Sequence, residues 1–414
     1  MMTTLQYRGD IASDGSIVPF RVAACDSISP VAIQQLQSTP GIEVIDDPLQ
    51  AQGLLIRSAT KFLLQGDFEK YQHLMYLVRV GVGTDNIDMK CASDAGIATV
   101  NTPGASTRAV AQRAVTFMLD YAARTVQGTQ ALAKKNWSRG EKNTEPIDLS
   151  ERTLGIIGFG RIGQETKRLA EPYFRRIVFT DVRNIEGKID LIDLLRECDI
   201  VSVHVAGSAE VLSAEHISLL KPQALLVNTA RGEVVNTEAI LQRMDAGLHV
   251  ALDVFPVEGV NMFQDSLIAR IVEHPNFIGT PHTAASDLVT QRKLGLEGVE
   301  RMKEFAQQGI VNPFDLAGHT LPRVAPAEPK MPGIRGILTH RSIPGVLATI
   351  TGVIAEFGGN IRELVNEEGD INNGTRLAMT TFDLTDGKKD VALNIMNAIT
   401  SNLESHQKRL LCFS

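Results

Sequence analysis

The stretch Leu154-Gly-Ile-Ile-Gly-Phe-Gly-Arg-Ile-Gly163 decides the reading of the fold. An apolar run enters three glycines, Gly158, Gly160 and Gly163, spaced G-x-G-x-x-G, and a helix pattern follows. In a β-turn-α unit the first glycine permits the tight turn, the second lets backbone approach a diphosphate, and the third packs helix on strand. Backbone N–H groups around Phe159, Arg161 and Ile162, at the positive end of the helix dipole, then face the phosphates. The next apolar run, Ile177–Thr180, ends in Asp181, 18 residues after Gly163, where an acid meets the ribose hydroxyls. A carboxylate there repels a 2′-phosphate, so NAD is expected rather than NADP.

Working outward, further short apolar runs sit at Ile200–Val203, Ala224–Val227, Val250–Leu252 and Phe277–Thr280. Six runs separated by crossover-length segments predict a doubly wound parallel sheet. Each of the last four is followed by a residue that can do chemistry: His204, Arg231 (after Ala230), Asp253 and His282. Ligands of such sheets sit beyond the carboxyl ends of the strands, so these side chains should converge. The first hundred residues repeat the rhythm, with runs at Phe20–Ala24, Ile42–Ile45, Gly53–Ile56, Tyr76–Val80 and Ile97–Val100. Their ends carry Arg57, Ser58 and Lys61, the turn Gly81-Val82-Gly83, and Asn101. Two sheets of this kind offering their carboxyl ends to one ligand make a two-domain active site. Val110, Ala114, Phe117, Met118 and Tyr121 keep helical spacing, and the polar stretch 134–152 reads as a loop. After a helix running from near Ala284 through Phe305, four prolines between 322 and 332 read as a stiff linker. The remainder follows a β-α-β-β-α-β order, that of a ferredoxin-like sandwich. The expected class is therefore α/β: a substrate-binding domain from 1–102 and 284–317, a dinucleotide-binding domain at 103–283, a linker at 318–332 and a ferredoxin-like domain at 333–414.

Composition narrows the function. The 414 residues are 43% hydrophobic with a formal charge of −7, which argues against nucleic-acid or anionic-membrane partners because phosphate contacts need a basic surface. The four cysteines, Cys25, Cys91, Cys198 and Cys412, are far apart and suggest neither a disulfide framework nor a metal site. No apolar run reaches transmembrane length and no leader is evident, so a cytoplasmic protein is expected.

The motifs GVGTDNID, NTPG, GFGRIG, NTARGEVVNTEAI, LDVFPVEG and TPHTAA, in that order, resemble the D-isomer-specific 2-hydroxyacid dehydrogenase family. With RSAT at Arg57 and the C-terminal unit, the chain is most similar to members that oxidise 3-phospho-D-glycerate to 3-phosphooxypyruvate, the entry to serine synthesis, and carry an ACT regulatory domain. The resemblance implies His282 as acid/base paired with Glu258, and Arg231 gripping the substrate. Histidine titrates nearest neutrality, a neighbouring carboxylate raises its pKa and fixes its tautomer, and an arginine can pair bidentately with a carboxylate. It also implies Asp253 accepting from the nicotinamide carboxamide, and His204 and Ala230 lining the cofactor pocket. The Gly81–Gly83 N–H groups would meet the substrate carboxylate, and Arg57, Ser58 and Lys61 are the candidates for a substrate phosphate; Arg124, Lys134 or Lys135 could add charge but read better as solvated surface. In the C-terminal unit it implies an amino-acid effector such as L-serine near His340, Ser342 and Asn360, and a homo-oligomer, dimer or tetramer. Two positions depart from the family pattern: Gln112, where a glutamate is usual, and the stretch after Glu258, which lacks the usual Glu-Pro pair. Rival readings are another D-2-hydroxy acid oxidoreductase, acting for example on 2-oxoglutarate or glyoxylate, an NAD-sensing scaffold, and an amino-acid-binding regulator.

Overall fold

The computed structural model describes residues 7–312, 320–321, 323–327, 333–369, 376–385, 388–403 and 405–413. The chain forms two compact units, Ser106–Thr290 and the two flanking segments together.

In the flanking unit β1 (Tyr7–Ile11) and β2 (Ile17–Val18) precede β3 (Phe20–Ala24), β4 (Ile42–Val44), β5 (Gly53–Ile56), β6 (Tyr76–Arg79) and β7 (Ala98–Asn101). The last five are the runs expected from the sequence, and they form one parallel sheet in the order β4-β3-β5-β6-β7. The Ser106–Thr290 unit holds β8 (Thr153–Ile157), β9 (Arg176–Thr180), β10 (Ile200–Val203), β11 (Leu225–Asn228), β12 (His249–Leu252) and β13 (Phe277–Gly279). All are parallel, in the order β13-β12-β11-β10-β8-β9. Alternate residues of one strand enter opposite cores: Leu225 and Val227 pack with Leu154 and Phe117, and Leu226 packs with Val201 and Ile240. Burial on both faces is why these strands read as unbroken apolar runs. Order reverses at β8, with β9 on one side and β10 on the other, and the crevice beyond their carboxyl ends is the usual ligand position.

The C-terminal strands are β14 (Gly333–Arg341), β15 (Ile361–Glu368), β16 (Leu377–Leu384) and β17 (Ser405–Phe413), with helices Val346–Glu356 and Lys389–Asn402 between them. This is the β-α-β-β-α-β order expected. One face, with Leu338, Phe382 and Leu410, packs on its own helices. The other, with Ile337, Met379 and Leu411, shares a core with Phe20, Tyr76 and Phe305 of the α/β layer. Of the linker expected over 318–332, residues 318, 319, 322 and 328–332 lie outside the described residues, as do 1–6, 313–317 and 370–375.

The structure departs from the expected division at the N-terminus. Residues 7–18 do not join the first parallel sheet; β1 pairs antiparallel with β17, giving the order β15-β16-β14-β17-β1-β2. The reason is a buried charge pair. The Arg409 guanidinium donates to both carboxylate oxygens of Asp10 (2.8 and 2.7 Å), to the Phe305 and Ala306 carbonyls, and lies 4.1 Å from the Phe20 ring centroid. Arg335, also buried, forks onto Asp383 and donates to the Gln308 carbonyl. Both arginines thus cap the last turn of the helix Leu288–Gln308, whose final carbonyls have no partner within the helix.

Candidate active site

In the Ser106–Thr290 unit the carboxyl ends of the strands carry the expected residues. Gly158 ends β8 with φ +88°, and a side chain there would meet the His204 carbonyl at 2.7 Å, so only glycine lets β8 and β10 close on each other. Gly160 and Arg161 open the helix Arg161–Ala170, and the space above Gly160 is open. Phe159 stacks on Phe179 at 3.8 Å, and its N–H donates to Asp181 (2.7 Å). Asp181 thus stands beside the glycine turn as expected. Arg183 forks onto both its oxygens at 2.9 Å, and these donors hold its carboxyl well below the usual range. An open glycine cradle, a helix N-terminus and an adjacent acid fit a dinucleotide.

His204 follows β10 and is buried. Its Nε2 meets Ser202 Oγ at 2.9 Å, its Nδ1 has no hydrogen-bond partner among the described residues, and burial pushes its pKa down to about 3. Its backbone carbonyl lies against Gly158, which sets it beside the glycine turn.

The chemistry gathers at the ends of β11, β12 and β13. His282 Nδ1 meets Glu258 Oε2 at 2.8 Å, with the two side chains 49% and 40% exposed. The hydrogen bond to Glu258 raises the His282 pKa above its ordinary value, against burial. Burial would raise the Glu258 pKa, but the His282 hydrogen bond and charge outweigh it and the net direction is down. Arg231 acts electrostatically on both groups, which places its charge in the same cluster. The structure thus brings Arg231, Glu258 and His282 into one cluster.

Asp253 also braces the backbone that carries His282. It is buried, its Oδ1 accepts from Thr280 Oγ1 (2.5 Å) and the Thr283 N–H (2.9 Å), and its Oδ2 accepts from the Ala284 N–H (3.1 Å). The His282 N–H also bonds the Asp253 carbonyl at 2.7 Å. These bonds hold His282 in a left-handed backbone conformation (φ +52°), uncommon for a residue with a side chain. Asn228, which the sequence reading missed, does the same for Arg231: its Oδ1 accepts from the Ala230 N–H (3.0 Å) and its Nδ2 donates to the Arg231 carbonyl (2.7 Å). Its signal was available, as the amide closing a strand inside NTARG. Arg124 and Lys134 line a cavity at the amino edge of this sheet, with Pro222, Gln223 and Pro275, so they stand at the opposite edge from His282.

In the flanking unit Arg57, part-buried, follows β5, and Ser58 and Lys61 are exposed beside it. Arg79, also missed, closes β6 opposite Ile56, and its guanidinium lies against Gly81 in the space a side chain would fill. The Gly81 N–H donates to Thr102 Oγ1 (2.7 Å) and so is not offered outward. Asn101 is buried and its Nδ2 donates to the Val82 carbonyl (2.7 Å), so it shapes this turn rather than lining a pocket.

The effector trio is not gathered. His340 is buried, with Nδ1 against the Arg341 carbonyl and Nε2 against Thr380 Oγ1, both 2.9 Å, and desolvation lowers its pKa. Ser342 Oγ donates to Glu368 (2.8 Å) at the end of β14. Asn360 precedes β15, which runs parallel to β14 because both oppose β16; it therefore lies at the other end of the sheet.

Comparison with known proteins agrees with this geometry. The family described as D-isomer specific 2-hydroxyacid dehydrogenase, NAD binding domain, matches residues 115–284. A hydroxypyruvate reductase of Thermotoga maritima is 33% identical over 311 residues, 70% of this chain and 99% of that protein. A D-3-phosphoglycerate dehydrogenase of Escherichia coli is 29% identical over 351 residues, 81% of this chain and 82% of that protein. The NAD+-bound 3-phosphoglycerate dehydrogenase structure from Entamoeba histolytica superposes with a TM-score of 0.58 at 21% identity, over 71% of this chain and 98% of that one, a likeness of fold.

Proposed function

Because the chain belongs to the D-isomer-specific 2-hydroxyacid dehydrogenase family and is an NAD-dependent dehydrogenase, we propose that its substrate is 3-phospho-D-glycerate, oxidised at C2 to 3-phosphooxypyruvate. The observation that carries this choice is the pair of arginines, Arg57 and Arg79, at the carboxyl ends of neighbouring strands, with the Gly81–Gly83 turn following β6 and Lys61 exposed in the chain after Arg57. Guanidinium forks and backbone N–H groups are what a phosphate monoester or a carboxylate selects.

We assign the chemistry as follows. NAD, when bound at the Gly158–Gly163 turn, supplies the hydride acceptor. His282 takes the C2 hydroxyl proton on Nε2, because Nδ1 is engaged with Glu258. Glu258 holds the ring and stabilises the imidazolium that results, while Arg231 pairs with the substrate carboxylate and draws charge toward the developing carbonyl oxygen. We read the C-terminal unit as an ACT-type module through which copies of the chain associate and an amino acid such as L-serine acts. The Ser342 loop is its expected ligand position, where an effector would compete with the Ser342–Glu368 bond.

A reductase of unphosphorylated 2-oxo acids is the second reading, favoured by the similarity to hydroxypyruvate reductase over nearly all of that protein. NADH consumption with 3-phosphooxypyruvate and with hydroxypyruvate separates the two, since the substrates differ only by the phosphate. A kcat/KM higher by at least tenfold for the phosphorylated acid is expected. Equal or reversed values would transfer the assignment to the second reading.

A further inference from the structure

Arg57 stands on a short turn, Arg57–Thr60, whose backbone is tied at both ends by two side chains from elsewhere. Asp26, just after β3, accepts the Arg57 N–H on Oδ2, the Thr60 hydroxyl on Oδ1 (2.8 Å) and the Thr60 N–H on Oδ2 (3.3 Å). From the other side the buried Asn86 donates its Nδ2 to the Arg57 carbonyl (2.7 Å) and the Thr60 carbonyl (2.6 Å). The next residues continue the connection: the Phe62 N–H bonds the Asn86 carbonyl (2.8 Å), and the Asp88 N–H bonds the Phe62 carbonyl (2.7 Å).

We propose that Asp26 and Asn86 are positioning residues that fix the RSAT turn and so set the selectivity for a phosphorylated substrate; this rests on the assignment of Arg57 to the phosphate. The GVGTDNID and RSAT motifs then act as one device, since Asn86 of the first supplies a clamp for the turn of the second. The physical ground is the ordering cost of binding. A long, charged side chain on a free loop loses backbone and rotamer freedom when it engages an anion, and that loss subtracts from affinity. Tethering Arg57 at its own N–H and carbonyl removes the backbone part beforehand. The guanidinium itself is left lightly held, with one long contact from Nη1 to the Ser27 carbonyl (3.4 Å), and is available to a ligand. Asp26 cannot itself be the anion contact, because a carboxylate repels phosphate and both its oxygens face the turn.

The test compares KM and kcat for 3-phosphooxypyruvate and hydroxypyruvate in Asp26→Asn, Asn86→Ala and Arg57→Ala, with inorganic phosphate as a competitive probe. For Asp26→Asn and Asn86→Ala the KM for the phosphorylated acid and the Ki for phosphate should rise at least tenfold. The KM for hydroxypyruvate and both kcat values should stay within threefold. A role in general folding would instead move both substrates together, and that result, or no change for either, would overturn the proposal. If Arg57→Ala fails to separate the two substrates, the phosphate assignment itself falls. If it separates them while the clamp variants do not, only the clamp falls. Should Asp26→Asn not fold, Thr60→Val removes a single bond of the same set. It should raise the phosphorylated-substrate KM about threefold, with Thr60→Ser restoring the wild-type value; failure of either result would count against the clamp.

Discussion

Replacing Glu258 by glutamine tests the acid/base assignment through its pH dependence. The substitution keeps the shape and one oxygen that can accept from His282 Nδ1, but it replaces the oxygen that accepts the Phe255 N–H with an amide NH2 and removes the charge. The pair is 2.8 Å apart and roughly half exposed on each side. A buried hydrogen bond to a charged group is worth about 1.5–3 kcal/mol, and an exposed ion pair about 0.2–1 kcal/mol. Half exposure places this one at about 1 kcal/mol. Glu258 raises the His282 pKa above 6.5. Oxidation needs the neutral ring, so kcat/KM for the hydroxy acid climbs through that raised value; reduction needs the imidazolium and falls through it. In Glu258→Gln both limbs should move toward acid, with the plateau retained better than in Glu258→Ala, where the ring also loses its orientation. Stability follows the same linkage. The raised histidine contributes fully below 6.5 and loses its contribution as pH rises through the folded value. The depressed glutamate contributes above 4.5 and loses its contribution as pH falls through its folded value. Wild type and variant should therefore differ most in thermal midpoint between these two values. Limbs that stay in place, or move toward alkali, would refute the assignment of Glu258 and His282 as a coupled pair.

Other expectations are as direct. His282→Ala should lower turnover about 10²- to 10⁴-fold while NADH affinity, read by fluorescence titration, is unchanged. Arg231→Lys keeps the charge but loses the fork, and should lower kcat/KM for 2-oxo acids at least tenfold in steady-state assays. Asn228→Ala frees the Ala230–Arg231 backbone and should lower kcat with NADH binding retained. Arg409→Met leaves the Asp10 carboxylate buried without its partner and should cost about 3–5 kcal/mol in denaturant unfolding; the double variant with Asp10→Leu should recover most of that loss.

Much of the fold was legible because parallel strands buried on both faces leave continuous apolar runs. Val201, Leu226 and Val250 need no knowledge of their partners to be recognised as core. The N-terminal hairpin was not legible for the opposite reason. Tyr7-Arg-Gly-Asp-Ile11 places Asp10 inward, and an inward aspartate is sensible only once Arg409 is known to meet it across 399 positions of sequence. In the site, Arg231, Glu258 and His282 were named through the family motifs, and the structure brings the three charges into one cluster. Asp253, Asn101 and Gly81 were named as contacts for ligands, and each also bonds the protein. A carboxylate, an amide and a backbone N–H announce that they can hydrogen-bond; the sequence says nothing of the partner. His340 failed in the same way, since both its ring nitrogens are satisfied inside the C-terminal sheet.

These displaced readings share a cause. A parallel strand ends in a loop whose N–H and carbonyl groups have lost their neighbouring strand and, when shielded from water, need other partners. Asp253 takes the N–H groups of Thr283 and Ala284, Asn228 those around Arg231, Asn101 and Thr102 the Gly81–Val82 turn, Asp181 the Phe159 N–H, and Asp26 with Asn86 the Arg57 turn. Each short polar side chain satisfies a strand-end loop and, by the same bonds, fixes the conformation from which a longer side chain reaches outward. Rigid loops carrying arginine and histidine are what orientation-dependent catalysis needs, because a displacement of about 1 Å at the reacting group can cost about 10²-fold in rate. Reactive and clamping residues therefore cluster at the same strand ends and share the same residue types. Distinguishing them takes the hydrogen-bond partner: Asp253 and Glu258 lie five positions apart, and only Glu258 directs its carboxylate to a side chain that can move a proton.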